Sequence, residues 1–199
     1  FRIGVKVLLY KYRSIEQWKF LIDIISNQRL YASKYFELND PMEGQYLYTD
    51  GVLHEKLVEA LKSMKQKIKI CSLSQNPEHE LMWAHYANGH NGIVIGANFD
   101  SRILNIRPIE YDGIVEITEQ RDVVSTEDAL NILSHKSANW EYEQEHRVFL
   151  TEGEFVNCKI ERILIGQRVP EADEQLVRTL VEKFIPGAEI INSRAKQIY

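Results

Sequence analysis

The sequence predicts an α+β fold with a mostly antiparallel sheet, whole or split, flanked by helices. Three observations predict it. Short apolar segments of strand length alternate with amphipathic segments of helical period, and no strict βαβ repeat orders them. Hydrophobic residues make up 44% of the 199 and charged residues 27%, a balance that supports a buried core. No stretch rich in Pro, Gly or Ser interrupts the chain, so residues 1–199 are expected to form a single domain.

Leu8 to Arg13 reads as a short strand. Ser14 is placed as an N-cap with Gln17 as its capping-box partner, ahead of a helix from Ile15 to Gln28 whose Trp18, Leu21, Ile22 and Ile25 recur at helical spacing. A short strand follows at Leu30–Ser33, then a loop broken at Asn39-Asp40-Pro41. His54–Lys67 is helical, with Leu57, Val58 and Leu61 facing inward and the lysines outward. Ile68–Leu73 is a strand, and Glu80–Ala87 a short helix closed by Asn88-Gly89. Strands are predicted at Gly92–Phe99, Ile106–Tyr111 and Gly113–Ile117, and a helix from Ser125 to Asn139. Arg147–Thr151 and Arg162–Gly166 are strands, Glu171–Phe184 is a helix, and Ala188–Asn192 closes the chain as a strand.

A net charge of −5 argues against broad, non-specific binding of nucleic acid phosphates. Cys71 and Cys158 have neither zinc nor disulfide-framework spacing, which fits a reducing, cytoplasmic setting. The longest apolar run, Val7 to Tyr10, is too short for a bilayer, so no membrane partner is expected. No signal peptide is visible, and the sequence opens on Phe1, so the native start is expected to lie elsewhere.

The densest chemistry lies in LMWAHYANGHNG, Leu81 to Gly92. His79, His85 and His90 are six and five residues apart, which misses the i, i+3 or i+4 spacing of helical metal ligands, so no metal is expected. Two readings stay open. In one, Trp83, His85 and Tyr86 wall a binding pocket; in the other, they form an aromatic core corner. Leu81, Met82 and Tyr86 are expected to point inward, and Gly89 and Gly92 to let backbone approach closely.

WEYEQEHR, Trp140 to Arg147, is the second place. On an extended strand Glu143, Glu145 and Arg147 share one face. Two carboxylates so close repel, and one is expected to be raised in pKa. The plainer reading is a solvated edge carrying an Arg–Glu pair. Ser72 and Ser74 sit two apart on one strand, while Tyr10, Tyr12 and Arg13 end the first. Asp40, Glu43, Lys136, Glu143 and Glu145 supply the acids and lysine that a metal-dependent nuclease requires. A third alternative is a non-catalytic nucleotide-sensing or interaction domain.

LYKYRS, FELNDPMEG, CSLSQNPEHELMWAHYANGHNGIVIGANFD and KSANWEYEQEHRVF occur in that order. From Tyr10 to Gly166 the chain resembles a bacterial domain-of-unknown-function family, number twenty-nine seventy-one. That likeness implies no activity. A second likeness is chemical. Arg13, then Ser72 and Ser74, then Glu143 and Glu145 resemble the signature of arginine–serine–glutamate ADP-ribosyltransferases, although Leu73 stands where a Thr is usual.

This second resemblance implies an ADP-ribosyltransferase-like fold and NAD as the substrate. It implies a role as a toxin or anti-phage effector, with a protein or nucleic-acid acceptor undetermined. It assigns Glu145 as the catalytic carboxylate and Glu143 to aligning the acceptor. Arg13 would grip the phosphates, with Tyr10 and Tyr12 beside it, and Ser72 and Ser74 would support the nicotinamide side. Trp83, His85 and Tyr86 would wall the nicotinamide or the acceptor.

Overall fold

The structure, a computed structural model, describes residues 6–193; the start at Phe1 lies outside them. In chain order the elements are β1 (Lys6–Ser14), α1 (Trp18–Asn27), β2 (Arg29–Tyr31), β3 (Ser33–Lys34), β4 (Tyr46–Tyr48), α2 (Glu55–Lys67) and β5 (Lys69–Ser74). There follow α3 (Glu80–Tyr86), β6 (Gly92–Asp100), β7 (Asn105–Pro108), β8 (Val115–Ile117), α4 (Thr126–Ile132) and β9 (Glu145–Leu150). The last are β10 (Phe155–Asn157), β11 (Lys159–Ile165), α5 (Glu171–Phe184) and β12 (Glu189–Asn192). The fold is mixed α+β, with antiparallel pairing predominating, as the sequence predicts. These elements gather into two compact units.

The first unit comprises residues 6–30, 73–104 and 155–193 of those described. β6 is its centre, which explains why GIVIGANF is nearly unbroken in apolar and small residues: both edges are paired and the strand is buried. β1 runs antiparallel along one edge, from Lys6 opposite Asp100 to Ser14 opposite Gly92. β11 lies antiparallel on the other edge, with a bulge between Ile160 and Arg162, and β12 pairs with β11 in parallel. α1 and α5 pack together, burying Leu21, Ile24 and Ile25 from one helix and Val177 and Val181 from the other.

α1 begins three residues later than predicted. Ser14 remains in the strand and its hydroxyl accepts the Glu16 N–H at 3.2 Å, a local turn bond that replaces the predicted capping box. Gln28 ends the helix in the left-handed conformation, φ 48°.

Gly92 is required by its neighbours. A Cβ there would lie 2.3 Å from the Arg13 carbonyl oxygen and 2.9 Å from that of Ala87, and both atoms are backbone. The close approach predicted at this glycine is therefore to the protein's own first strand. Gly92→Ala is expected to cost about 3 kcal/mol, because the β1–β6 rung cannot yield without shifting register. Urea denaturation measures this; a variant as stable as the parent would contradict the packing.

The second unit comprises residues 31–72 and 105–154. β5 lies here between β3 and β9, with β7 antiparallel to β9, and its final residue Ser74 belongs to the first unit, where it pairs with Tyr10. Three-residue strands β4 and β8 pair in parallel; β4 was not predicted, being too short to show alternation. One core joins Ile68, Ile70, Leu130, Leu133 and Phe149, and another Val52, Leu53, Leu61 and Ile132.

Ser125 caps α4, where the sequence leaves the cap open between Ser125 and Thr126: its hydroxyl accepts the Asp128 N–H and the Asp128 carboxylate accepts the Ser125 N–H. The helix ends at Ile132, well before Asn139, because His135 leaves it to form a parallel bridge with Glu110. Residues 138–143 then make a 3-10 turn. α2 shows one departure: Lys65 faces inward, donating to the Gly44 carbonyl at 2.5 Å between the rings of Tyr35 and Tyr46. Burial holds its ammonium down at about 8. Among the described residues no helix is long and apolar enough to cross a membrane.

Candidate functional site

LMWAHYANGHNG folds in the first unit as an aromatic corner. Trp83 is 1% exposed. Its ring stacks on His90, with centroids 4.7 Å apart, and meets the Tyr12 ring edge-on at 5.6 Å. Tyr12 donates its hydroxyl to the Asn76 carbonyl at 2.8 Å, and burial raises its pKa. His90 Nε2 lies 2.9 Å from a Glu80 carboxylate oxygen. Met82 points inward as predicted, but Leu81 is exposed and Trp83 takes the buried face, while Tyr86 is half-buried and His85 exposed. The helix therefore inserts Trp83 beside Met82, where spacing alone suggests Leu81 and Tyr86 beside it.

The other site residues of this unit lie on the strands. Tyr10 and Tyr12, two apart on β1, are buried, and Arg13 is half-buried. Ser74 is buried at the end of β5, bonded through its hydroxyl to the backbone N–H and carbonyl of Asn76.

The second unit gathers Glu43, Lys136, Glu143, Glu145 and Arg147 into one buried cluster. The Asn39-Asp40-Pro41 turn delivers the first: Asp40 accepts the Met42 N–H at 2.9 Å through its side chain, and Glu43 follows in the turn. β9 delivers Glu145 and Arg147 on one face, as period two predicts. Gln144, at φ 43°, breaks the strand, so Glu143 arrives from the 3-10 turn.

Arg147 is fully buried. Its Nε donates to Glu145 Oε1 at 2.8 Å, its Nη2 to Glu43 Oε1 at 2.6 Å and its Nη1 to the Leu133 carbonyl at 2.6 Å. Lys136 Nζ bonds Glu143 at 2.6 Å, reaches Glu145 at 3.4 Å and lies 4.6 Å from the centre of the Trp140 ring. Ser72 on β5 helps to hold Glu145 ionised, and the Glu145 N–H donates to the Tyr111 hydroxyl at 2.6 Å.

The electrostatics differ from expectation. Burial pushes the Glu145 carboxyl up, but the charges of Arg147 and Lys136, with the Arg147 and Ser72 hydrogen bonds, outweigh it and hold the group at about 2. The raised acid predicted for the Glu143–Glu145 pair is thus not Glu145, because a lysine stands between the two carboxylates. Glu43 is the acid pushed above its usual range: burial exceeds the pull of Arg147. Its Oε2 is buried with no hydrogen-bond partner among the described residues. Nor is this face a solvated edge, since Glu43, Glu143 and Glu145 are each 4% exposed.

Of the predicted nuclease set, Glu43, Lys136, Glu143 and Glu145 converge, while Asp40 caps the turn beside them. The central role of Arg147 was not apparent from sequence. Its Glu-x-Arg spacing was the available signal, but nothing local marks an arginine as fully buried.

No curated protein and no solved structure matches the chain. The buried acids, the aromatic corner and the strand that enters the Glu145–Arg147 pair lie in or beside a recognisable segment. Residues 82–148, from within α3 into β9, match the model of the family described as Protein of unknown function (DUF2971), the family that the motifs themselves resemble.

Proposed function

We propose that the chain is an NAD-consuming, ADP-ribosyl-transferring enzyme with Glu145 as its catalytic carboxylate. One observation carries the reading: Glu145 is buried on β9, beside the β5 strand that bears Ser72, and is paired there with Arg147 and Lys136. That arrangement sets Ser72, the first serine of the Ser-x-Ser pattern, and Glu145 of the Glu-x-Glu pattern on neighbouring strands β5 and β9. A carboxylate kept ionised away from bulk water can stabilise positive charge developing on a ribose ring as nicotinamide leaves. Glu143 would then align the acceptor. Arg13, which the resemblance assigns to the phosphates, belongs to the first unit, and the proposal rests on the second unit alone. For NAD to reach Glu145, which is buried and paired with Lys136 and Arg147, the cluster has to open. Consumption of NAD fits a toxin or an anti-phage effector.

Release of nicotinamide from NAD, followed chromatographically, tests the reading with water as the default acceptor. Glu145→Gln is the informative variant, because Lys136 keeps Glu143 and Arg147 keeps Glu43. It is expected to lower turnover by about 10²-fold or more while the far-ultraviolet dichroism stays unchanged. Absence of turnover in the parent, or equal turnover in the variant, overturns the proposal.

A second reading is favoured by the enclosure of the cluster. Every cation in it is already paired with acids, so the network would serve as a structural tie in a nucleotide-sensing or interaction domain. Nucleotides would then shift the melting temperature without being consumed.

A further inference from the structure

On the solvent side of the ribbon that carries Tyr111 and Lys136 lies a second cluster, formed by Glu110, Asp112 and His135. One ligand atom from each lies within 4.8 Å of the others. His135 Nδ1 is 2.7 Å from the Asn131 carbonyl oxygen. A carbonyl only accepts, so Nδ1 carries the proton and Nε2 is the nitrogen turned toward the acids. Nε2 stands 3.4 Å from Glu110 Oε2 and 3.7 Å from Asp112 Oδ1.

These gaps discriminate between two chemistries. A charge-assisted N–H to carboxylate bond settles at about 2.7–2.9 Å. Donor atoms sharing one tetrahedral ion, each bonded at about 2.0–2.2 Å, lie about 3.3–3.6 Å apart. The 3.4 Å gap to Glu110 falls in the range for donors around one ion and the 3.7 Å gap to Asp112 lies just beyond it, while both are longer than a charge-assisted hydrogen bond. A carbonyl holding the far ring nitrogen is also the usual outer partner of a metal-bound histidine.

The backbone fixes the arrangement. Glu110 and His135 face each other in a parallel bridge. The Glu110 N–H donates to the Ser134 carbonyl at 2.9 Å, Lys136 N–H to Glu110 carbonyl at 2.9 Å, and Gly113 N–H to Lys136 carbonyl at 3.1 Å. Extended backbone sends alternate residues to opposite sides. Glu110 and Asp112 therefore face out while Tyr111 turns its hydroxyl to the Glu145 N–H; His135 faces out while Lys136 reaches Glu143 and Glu145.

We propose that Glu110, Asp112 and His135 bind one divalent transition-metal ion of the zinc class. One imidazole nitrogen with two carboxylate oxygens suits such an ion, whereas magnesium and calcium prefer oxygen donors alone. Three protein donors leave a position for water. The ion clamps the ribbon from outside, and so steadies Tyr111 and Lys136 against the buried acids. The inference does not depend on the NAD reading.

Calorimetric titration of the chelator-treated chain with Zn²⁺ tests it. One ion per chain is expected, with a rise in melting temperature as Zn²⁺ is added. His135→Ala and Asp112→Asn are each expected to weaken binding by about 10-fold or more. Asp112 is exposed, so its variant keeps the fold even if that of His135 does not. Excess Mg²⁺ is expected to leave Zn²⁺ in place. No saturable uptake, uptake unchanged in a folded variant, or displacement by Mg²⁺ overturns the proposal.

Discussion

Arg147→Met is expected to lower the unfolding free energy by about 3–5 kcal/mol, the penalty for stripping one partner from a buried ion network. The reason is what the substitution leaves behind. Glu145 loses the bond from Nε, Glu43 loses its bond from Nη2, and the Leu133 carbonyl loses its donor, all out of reach of bulk water. Glu43 already sits above the ordinary carboxylate range with Arg147 beside it, so removal of the guanidinium favours its protonation. Urea denaturation at neutral pH measures the loss. A companion variant separates the network's worth from the damage of breaking it. Replacing Arg147, Glu43 and Glu145 together by apolar residues of similar volume is expected to cost much less than Arg147→Met, because no charge is left stranded. A single variant as stable as the parent would mean that water reaches these acids.

Trp83→Ala is expected to cost about 3–5 kcal/mol, the range for truncating a buried large aromatic. The indole is 1% exposed and holds two rings in fixed attitudes, Tyr12 edge-on and His90 stacked. Its loss leaves a cavity at the junction of α3, β1 and the turn before β6. Trp83→Phe should recover part of the loss by refilling it. Tryptophan fluorescence and urea midpoints report both. If Trp83→Ala were neutral in stability yet abolished ligand-induced melting shifts, Trp83 would be a pocket wall and not a core anchor.

These two residues show how far the sequence could be read. Trp83 was prominent because rare residues crowd around it, but helical spacing put Leu81 and Tyr86 on the inner face. Seven residues are too few for a period to choose a face, and the choice fell to the fit of the indole against Tyr12. Arg147 was visible as a neighbour of two glutamates. That it lies at 0% exposure, with Glu43 from a turn 104 positions earlier, is not encoded in any window of the chain. Long helices were recovered best: α2 and α5 appear nearly where their periodicity puts them. α4 stops short of Asn139 because the bridge between His135 and Glu110 claims that backbone for another partner.

By itself the sequence determined the longer helices and strands, α2, α5, β5 and β6 among them, since periodicity is a property of neighbours along the chain. Only tertiary structure decided which carboxylates are buried, which cation each receives, and that His135 turns away from Lys136 to join Glu110 and Asp112. Those outcomes depend on groups distant in sequence sharing one desolvated volume, and the balance between desolvation and pairing exists only once they meet.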